Sequence, residues 1–441
     1  MLSKKIILVV ILFVANLIAV QAQGDEIAIQ GNSFADKMAW LQVFSKSDSS
    51  YIMELNANEN ITSQVFEFSG KSNITIKIVG ANTNRILTLS SGNGIFTIGS
   101  GITIILDKNI TLNGSGSNRL ISISNGGNLI MNNGSTVNGN TSSYQGDGIF
   151  VNGGNFTMNG GVISGNRGAG VFLRYGTFIM NGGSISENNS GGVSSQFGNA
   201  AFTMNNGTIT GNGGTGVSMY SGTFSMSNGI ISNNKAYGTG GGVSVVNNGT
   251  SFTMSGGEIV NNSIRENDSR GNNSGGGVYV NNSGVFIFQG GKIANNTALF
   301  GGGVSVINDG SFTMNGGDII NNTAMRFGGG VYGYFTMNNG SISGNIAREN
   351  GGGIYIITGG NLTKNAGTVT GYADDKVNGN SVKDSSGNIL NFRGHSVYAG
   401  STENLLKIKE GTAGINDKLV FNSTGNIYRG YTSTASGAWD N

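Results

Sequence analysis

The chain has 441 residues and contains neither cysteine nor proline, which excludes disulfides, thiolate metal sites and proline-rich linkers. Its 25 basic and 23 acidic side chains give a formal net charge of +2. Such an even balance argues against a nucleic-acid partner, because phosphate binding needs an excess of basic residues.

The first 22 residues have the pattern of a secretory signal peptide. Lys4 and Lys5 precede an apolar stretch that covers residues 6–20, and residues 20–22 (Val-Gln-Ala) have the form of a cleavage site. An uncleaved membrane anchor is the alternative, although the apolar stretch is short for one. No later stretch is apolar and long enough to span a bilayer. Residues 1–22 therefore predict export, with the protein secreted or held at the cell surface or outer membrane of a bacterium.

Residues 23–73 predict an N-terminal cap and the first strands. Ser33 can cap a short helix, with Asp36 three residues later in capping-box spacing. Phe34, Met38 and Leu41 then fall on one face of that helix. A stack of strands needs such a cap, because its end strand would otherwise expose an unpaired edge.

Alternating apolar and polar residues, the period of half-buried strands, begin near residue 74. The first such segments are Ile74–Ile78, Ile86–Leu89, Ile95–Ile98, Ile102–Leu106 and Leu120–Ile123.

A repeated phrase, roughly F-T-M-N-G-G-x-I-x-x-N followed by a loop and G-G-G-V-x-V, then dominates the chain. Successive repeats are 22 to 34 residues apart, a spacing typical of solenoids. Its phenylalanines are Phe156, Phe178, Phe202, Phe224, Phe252, Phe286, Phe312 and Phe335, with Leu129 and Leu362 in the same place at the two ends.

Each repeat contains three strand-sized pieces. The second piece contains an isoleucine, and an Asn always follows that isoleucine three residues later. That offset survives every change in loop length, so we expect these asparagines to stack as a hydrogen-bonded ladder between turns. Phe and Met of the first piece should point inward and Thr outward. The pattern predicts an all-β fold, a right-handed parallel β-helix with three strands per coil, over residues 74–370. Residues 371–441 predict C-terminal strands and a cap.

Two motifs resemble those of the chlamydial polymorphic outer membrane proteins and related bacterial β-helix surface proteins. F-x-x-N occurs at Phe156/Asn159, Phe178/Asn181, Phe202/Asn205, Phe312/Asn315 and Phe335/Asn338. G-G-G-[VI] occurs at residues 240–243, 275–278, 301–304, 328–331 and 351–354. The resemblance covers roughly residues 129–365 and implies a secreted or surface adhesin. Members of that family often carry a C-terminal barrel, for which the residues after Thr370 are too few.

Catalytic signatures are weak. Glycoside hydrolysis needs two acids that face one cleft, and the only adjacent Asp pair, Asp374-Asp375, predicts a solvated turn. His395 is the only histidine, so a multi-histidine metal site is impossible, and we interpret it as a surface or cap residue. Glu266 and Asp268 lie in a long loop beside Arg265 and Arg270, which favours internal pairing over a calcium site. We predict no metal and no cofactor.

A binding face is the stronger candidate. The residue after the inward Val or Ile of the third strand should face solvent, and it is Tyr279, Tyr332 or Tyr355 in three repeats. Arg326 and Arg348 precede the glycine corners beside that face. For the tyrosines, the alternative explanation is the ordinary preference of tyrosine for strands. For the arginines, it is simple solvation of charged loop tips.

These five residues are the candidate ligand site, for a host-cell or matrix protein or a glycan. The predicted function is that of a non-enzymatic, adhesin-like surface-associated or secreted protein. A polysaccharide lyase or glycoside hydrolase is the alternative, and it requires acids, or an acid and a basic residue, that converge in a groove.

Overall fold

The chain winds as a parallel β-solenoid of about 13 turns. The structure is a computed structural model that describes residues 26–114, 116, 119–143, 146–265, 273–358, 360–372, 375–390 and 394–399, together with the backbone of three later strand segments. One continuous sheet contains 37 strands. Its strands pair in parallel from turn to turn. The predicted all-β parallel β-helix is confirmed.

Three columns of strands form this sheet, and we name them after the side chain that each buries in the regular repeats. The Phe strands are Ile27–Ala28, Ser49–Leu55, Ile74–Gly80, Ile102–Leu106, Asn128–Met131, Ala200–Met204, Thr223–Met226, Ser251–Met254, Val285–Phe288, Ser311–Met314, Phe335–Met337, Asn361–Lys364 and Leu405–Ile408. The Ile strands are Ile110–Asn113, Ser135–Asn138, Val162–Ser164, Ser184–Ser186, Thr208–Thr210, Ile230–Ser232, Glu258–Val260, Lys292–Ala294, Asp318–Ile320, Ser341–Ser343 and Thr368–Val369. The Val strands are Arg119–Ile123, Gly191–Ser195, Thr215–Met219, Val243–Val246, Val278–Asn281, Val304–Val306, Val331–Tyr332, Ile354–Ile356 and Val397–Ala399.

Four longer strands continue around a corner from one column into the next: Glu59–Phe66, Arg85–Ile98, Asp147–Met158 and Ala169–Met180. A separate antiparallel pair, Val420–Phe421 with Tyr428–Arg429, lies near the C-terminus.

The repeated phenylalanines form one continuous stack inside the solenoid. Neighbouring rings have centroids 4.5–5.1 Å apart and planes within 19° of parallel, from Phe156 through Phe335. This distance equals the spacing of paired strands, because one ring is added per turn. Leu129 and Leu362 pair with the first and last rings of the stack. Since each aromatic contact adds about 0.5–1.5 kcal/mol beyond its buried area, the stack stabilises every turn against the next.

A buried asparagine ladder runs along the corner after the Ile strands. In each step the Nδ2 of one Asn donates to the Oδ1 of the Asn in the next turn at 2.8–3.0 Å, from Asn166 to Asn380. From Asn188 to Asn380, each Nδ2 also donates to the backbone carbonyl of an isoleucine one turn earlier. The predicted ladder is confirmed, and it continues past residue 370.

The residue before eight of the nine ladder asparagines, Asn380 being the exception, has a left-handed backbone that the sequence did not lead us to expect. Its φ lies between 55° and 66° in eight turns. Glycine or asparagine occupies the position in seven of them, because these residues tolerate this conformation. Glu187, with φ 55°, is the exception. The eight residues are Gly165, Glu187, Gly211, Asn233, Asn261, Asn295, Asn321 and Gly344.

A second sheet, with a fourth column of six strands, was also missed. These Ala strands follow the ladder Asn directly, and the second residue of each points inward. They are Lys235–Ala236, Ser263–Ile264, Thr297–Phe300, Thr323–Phe327, Ile346–Ala347 and Ser381–Val382. The later turns therefore carry four strands and not three. Two Ala strands, Thr297–Phe300 and Thr323–Phe327, lead straight into the glycine corners at Gly301 and Gly328, so their last residues lie beside those corners.

The N-terminal helix, Phe34–Phe44, has the predicted capping box. The Ser33 Oγ accepts from the Asp36 backbone N–H at 3.1 Å, and the Asp36 carboxylate accepts from the Ser33 N–H at 3.0 Å. Phe34, Met38 and Leu41 are buried against the first turns, as expected. The strand Ser49–Leu55 already pairs in register with Ile74–Gly80, so the sheet begins before residue 74.

At the C-terminal end, the strands Val397–Ala399 and Leu405–Ile408 extend the Val and Phe columns by a further turn. The predicted signal peptide, residues 1–22, lies outside the described residues.

Candidate functional site

The glycine corner folds the preceding segment against the outward residue of the Val strand. The first glycine of each corner has φ between 61° and 71°. A Cβ on Gly275, Gly328 or Gly351 would lie 2.8–2.9 Å from the Cβ of the tyrosine four residues later. Only glycine therefore permits this turn, and its backbone covers the base of the tyrosine.

The expectation that this position faces solvent is wrong for Tyr279, which is only 3% exposed. Its in-register neighbours Ser244 and Ser305 are buried as well. Tyr332 and Tyr355 are half-buried. The three predicted tyrosines thus do not form one exposed stripe, although Tyr332 and Tyr355 do lie together.

Tyr332 and Tyr355 belong to an aromatic patch with three other rings, Phe300, Phe327 and Tyr398. The three tyrosine rings stack along the Val column. The ring centroids of Tyr332 and Tyr355 are 5.5 Å apart, and those of Tyr355 and Tyr398 are 5.3 Å apart. Phe300 contacts Tyr332 at 5.2 Å, and Phe327 stacks on Tyr355 at 4.6 Å. Both phenylalanines come from the ends of Ala strands.

The patch carries a charged pair at its edge. The Arg326 guanidinium donates to both carboxylate oxygens of Glu349, at 2.7 and 3.3 Å. Its Cζ lies 4.9 Å from the ring centre of Phe327 and 5.5 Å from that of Phe300. Both members of the pair are more than 40% exposed. Arg326 therefore does join the tyrosines as predicted, whereas Arg348 donates to the backbone carbonyl of Asp384.

Burial raises the pKa of the tyrosine hydroxyls on this face above their ordinary value of 10. It raises the pKa of Tyr279 and of Tyr355 to about 12, with a smaller contribution from the neighbouring tyrosines Tyr220 and Tyr398, respectively. Burial also raises the pKa of Tyr332, although the charge of Arg326 opposes the shift. These hydroxyls are consequently neutral donors and acceptors at any physiological pH.

Sequence reasoning placed Glu349 with the charged loops beside the tyrosine face but missed Phe300 and Phe327. A signal was present, since an aromatic residue directly precedes the glycine corner in Phe300-Gly301 and Phe327-Gly328. Without the fourth strand column, however, nothing indicated that these rings would reach the tyrosines.

A second polar site lies in the early turns. The Asp147 carboxylate, 8% exposed, accepts from the Ala169 N–H at 2.9 Å and lies 3.8 Å from the Nε of Arg119. Burial raises its pKa to about 6, against the lowering effects of that hydrogen bond and of Arg119. With Arg167 and Phe172 it lines a pocket of about 300 Å³. Asp147 is the only acid among the described residues that line this pocket.

His395 is buried in the C-terminal turn, so it is not at the surface. Its Nδ1 accepts from the Val382 N–H at 2.8 Å, and burial lowers its pKa to about 4. Asp375 accepts from the Val377 and Asn378 N–H groups in a tight turn, as expected, while Asp374 lies outside the described residues. Glu266, Asp268 and Arg270 also lie outside them.

Within the described part of the chain, no three His, Cys, Asp or Glu side chains come together as they would around a metal ion. Across the same residues, no helix has the length and apolar character needed to span a membrane.

Comparison with known proteins found no matching family model, no matching curated protein and no matching solved structure. The resemblance to the polymorphic outer membrane proteins therefore stays a prediction from the two short motifs.

Proposed function

We propose that this chain is an exported, adhesin-like binding protein without enzymatic activity that holds glycans of a host cell or matrix on its aromatic patch. The observation that carries the proposal is the patch itself, in which rings from two strand columns meet beside an exposed Arg–Glu pair. Secretion or attachment to a bacterial surface follows from the predicted signal peptide.

The chemistry of the patch suits a sugar chain. The apolar C–H face of a pyranose packs against aromatic side chains, and the outer edges of the stacked tyrosine rings repeat every 5.3–5.5 Å along the solenoid axis. Arg326 and Glu349 offer charged donors and acceptors to hydroxyl groups at the rim. Repetition along one axis also lets weak contacts add up on a polymeric ligand.

Binding of the purified mature chain to a glycan array and to cells tests this proposal. Tyr355→Ser should reduce binding at least tenfold, because it removes the ring that contacts Tyr332, Phe327 and Tyr398. Tyr175→Ser is the matched control, since Tyr175 is 44% exposed in an early turn away from the patch. Equal binding by both variants would remove the patch as the ligand site, and binding to protein ligands alone would remove glycans as the ligand class.

Asp147 gives a specific reason to keep the enzymatic alternative as a second candidate. An acid whose pKa is about 6, beside Arg119 and in a pocket, has the character of a general acid or base. Hydrolysis would need a second carboxyl group, which the described lining does not contain. A polysaccharide-degradation assay with the wild type and Asp147→Asn decides: activity that the variant loses would replace the binding proposal with a lyase-like one.

A further inference from the structure

Four rings of the aromatic patch form a row that advances by one turn at a time. Phe300, Tyr332, Tyr355 and Tyr398 come from four consecutive turns, and their ring centroids are 5.2, 5.5 and 5.3 Å apart in that order. The first three rings keep part of their surface exposed, whereas Tyr398 is only 7% exposed and ends the accessible part. We call Phe300, Tyr332 and Tyr355 the aromatic row, and every residue between its first and last ring is described.

The aromatic row has a longer repeat than the core beneath it. The buried phenylalanine stack repeats every 4.5–5.1 Å, close to the spacing of paired strands. In the aromatic row, neighbouring centroids are 5.2–5.5 Å apart. A ligand that follows the row therefore has to repeat at this longer distance.

The tyrosine rings offer a ligand their outer edges, because their faces lie against the rings of the neighbouring turns. An aromatic edge carries partial positive charge and attracts oxygen atoms. Burial raises the pKa of the Tyr332 and Tyr355 hydroxyl groups and the charge of Arg326 opposes the shift, so the guanidinium lies near both groups. Since Arg326 is paired with Glu349, this rim pair has no net charge and suits an uncharged ligand rich in oxygen.

The repeat distance discriminates between linear polymers. A sugar unit that is linked through equatorial bonds at C1 and C4 spans its own ring and one oxygen bridge, which is roughly 5 Å for single bonds of about 1.5 Å. An α-1,4 bond leaves the ring axially, so that chain coils and advances less per unit. An extended peptide advances about 3.3 Å per residue, so neither one residue nor two residues match the aromatic row.

We propose that an unbranched, uncharged β-1,4-linked glycan binds along the aromatic row, parallel to the solenoid axis, with one sugar unit per turn. Successive units are turned over relative to one another, but a glycosidic oxygen recurs at every unit and lies against the edge of each ring in turn. Equatorial hydroxyl groups reach Arg326 and Glu349 at the rim. This inference rests on the proposed glycan binding, and it specifies the linkage and the direction of the glycan.

Isothermal titration of the full mature chain with cellohexaose and maltohexaose tests the linkage, because both contain the same glucose units and differ only in the bond between them. We expect cellohexaose to bind at least tenfold more tightly. In the series from cellobiose to cellohexaose, the affinity should rise about tenfold up to the trisaccharide and change little after it, since the aromatic row has three accessible rings.

Tyr332→Ser interrupts the aromatic row at its middle. Serine already occupies this place one turn earlier, at Ser305, so the variant should fold. Cellotriose should then bind no more tightly than cellobiose does, whereas the control Tyr175→Ser, outside the row, should keep the full gain. Equal affinity for the two hexasaccharides, or an unchanged dependence on length in Tyr332→Ser, would overturn the inference.

Two further results separate this inference from the proposed function. If glycans of an array bind in a Tyr355-dependent manner while cellohexaose has no advantage over maltohexaose, only the inference is wrong. If cellohexaose binds equally to the wild type, Tyr332→Ser and Tyr355→Ser, the patch is not the site and both proposals fail. Tighter binding of an extended peptide to the patch would overturn both in favour of a protein ligand.

Discussion

Replacing one ladder asparagine by alanine should destabilise the solenoid far more than replacing an exposed asparagine. Asn262 is fully buried, and its Nδ2 donates to the Ile231 carbonyl at 2.9 Å and to the Asn296 Oδ1 at 3.0 Å. Its Oδ1 accepts from both the backbone N–H and the Nδ2 of Asn234, at 3.1 and 3.0 Å.

The size of the loss in unfolding free energy depends on which buried groups keep a hydrogen-bond partner in Asn262→Ala. In Asn262→Ala the Asn296 Oδ1 still accepts from the backbone N–H of residue 262, and the Asn234 Nδ2 still donates to the Ile209 carbonyl. The Asn234 N–H loses the partner described here, whereas the Ile231 carbonyl belongs to a strand that stays paired with the next turn. One buried group left without a partner predicts a loss of about 1–3 kcal/mol.

Urea unfolding followed by far-ultraviolet circular dichroism measures this loss, and hydrogen exchange of peptides from neighbouring turns shows whether it is local. Asn338→Ala is the control, because Asn338 makes a similar hydrogen bond to Asn315 at 2.8 Å but lies in a partly exposed outer row. We expect the control to lose about 1 kcal/mol or less. Equal losses in the two variants would refute the argument that burial makes the ladder important.

Three further substitutions test single features of the fold. Glu187→Gly should raise the free energy of unfolding by about 1 kcal/mol by relieving a left-handed backbone, whereas Glu258→Gly, in a strand, should lower it. Lys364 is fully buried, at the inward position that Met337 occupies one turn earlier. Lys364→Met should therefore stabilise the folded protein by about 1–4 kcal/mol. Thermal melts measure this change, and a lower melting temperature would contradict it. The pKa of His395 is about 4 in the folded protein, below its ordinary value of 6.5. As pH falls from 6.5 to 4, the imidazole is therefore protonated in the unfolded chain but not in the folded one. The folded state loses about 3 kcal/mol of stability over that range. His395→Asn should remove that part of the loss, and an identical pH profile in urea melts would show that the imidazole is not the cause.

The fold was largely predictable because its strongest determinants are local and periodic. The fixed offset between Ile and Asn indicated a rigid corner, and the phenylalanine spacing indicated an inner stack. Glu187 and Lys364 depart from the repeat in the sequence, but their strain and burial could not be predicted, because these depend on backbone angle and on pairing with the adjacent turn. The Ala strands were missed because their two-residue cores, such as Thr323-Ala324, are too short to show an alternating pattern.

The candidate site was predictable only in part. Counting outward positions along the strand correctly grouped Tyr332 with Tyr355, but it could not show that Tyr279, which follows the same kind of corner, is buried. The partners Phe300 and Phe327 come from a different column, so their contact with the tyrosines exists only in three dimensions. The same holds for Asp147, which meets Arg119 from an adjacent turn.

The most direct test of the account is a crystal structure of the mature protein soaked with an oligosaccharide that it binds in solution. We expect sugar density against the outer edges of Tyr332, Tyr355 and Phe327, with hydroxyl groups near Arg326 and Glu349. Sugar bound in the Asp147 pocket, or anywhere away from the aromatic patch, would contradict it.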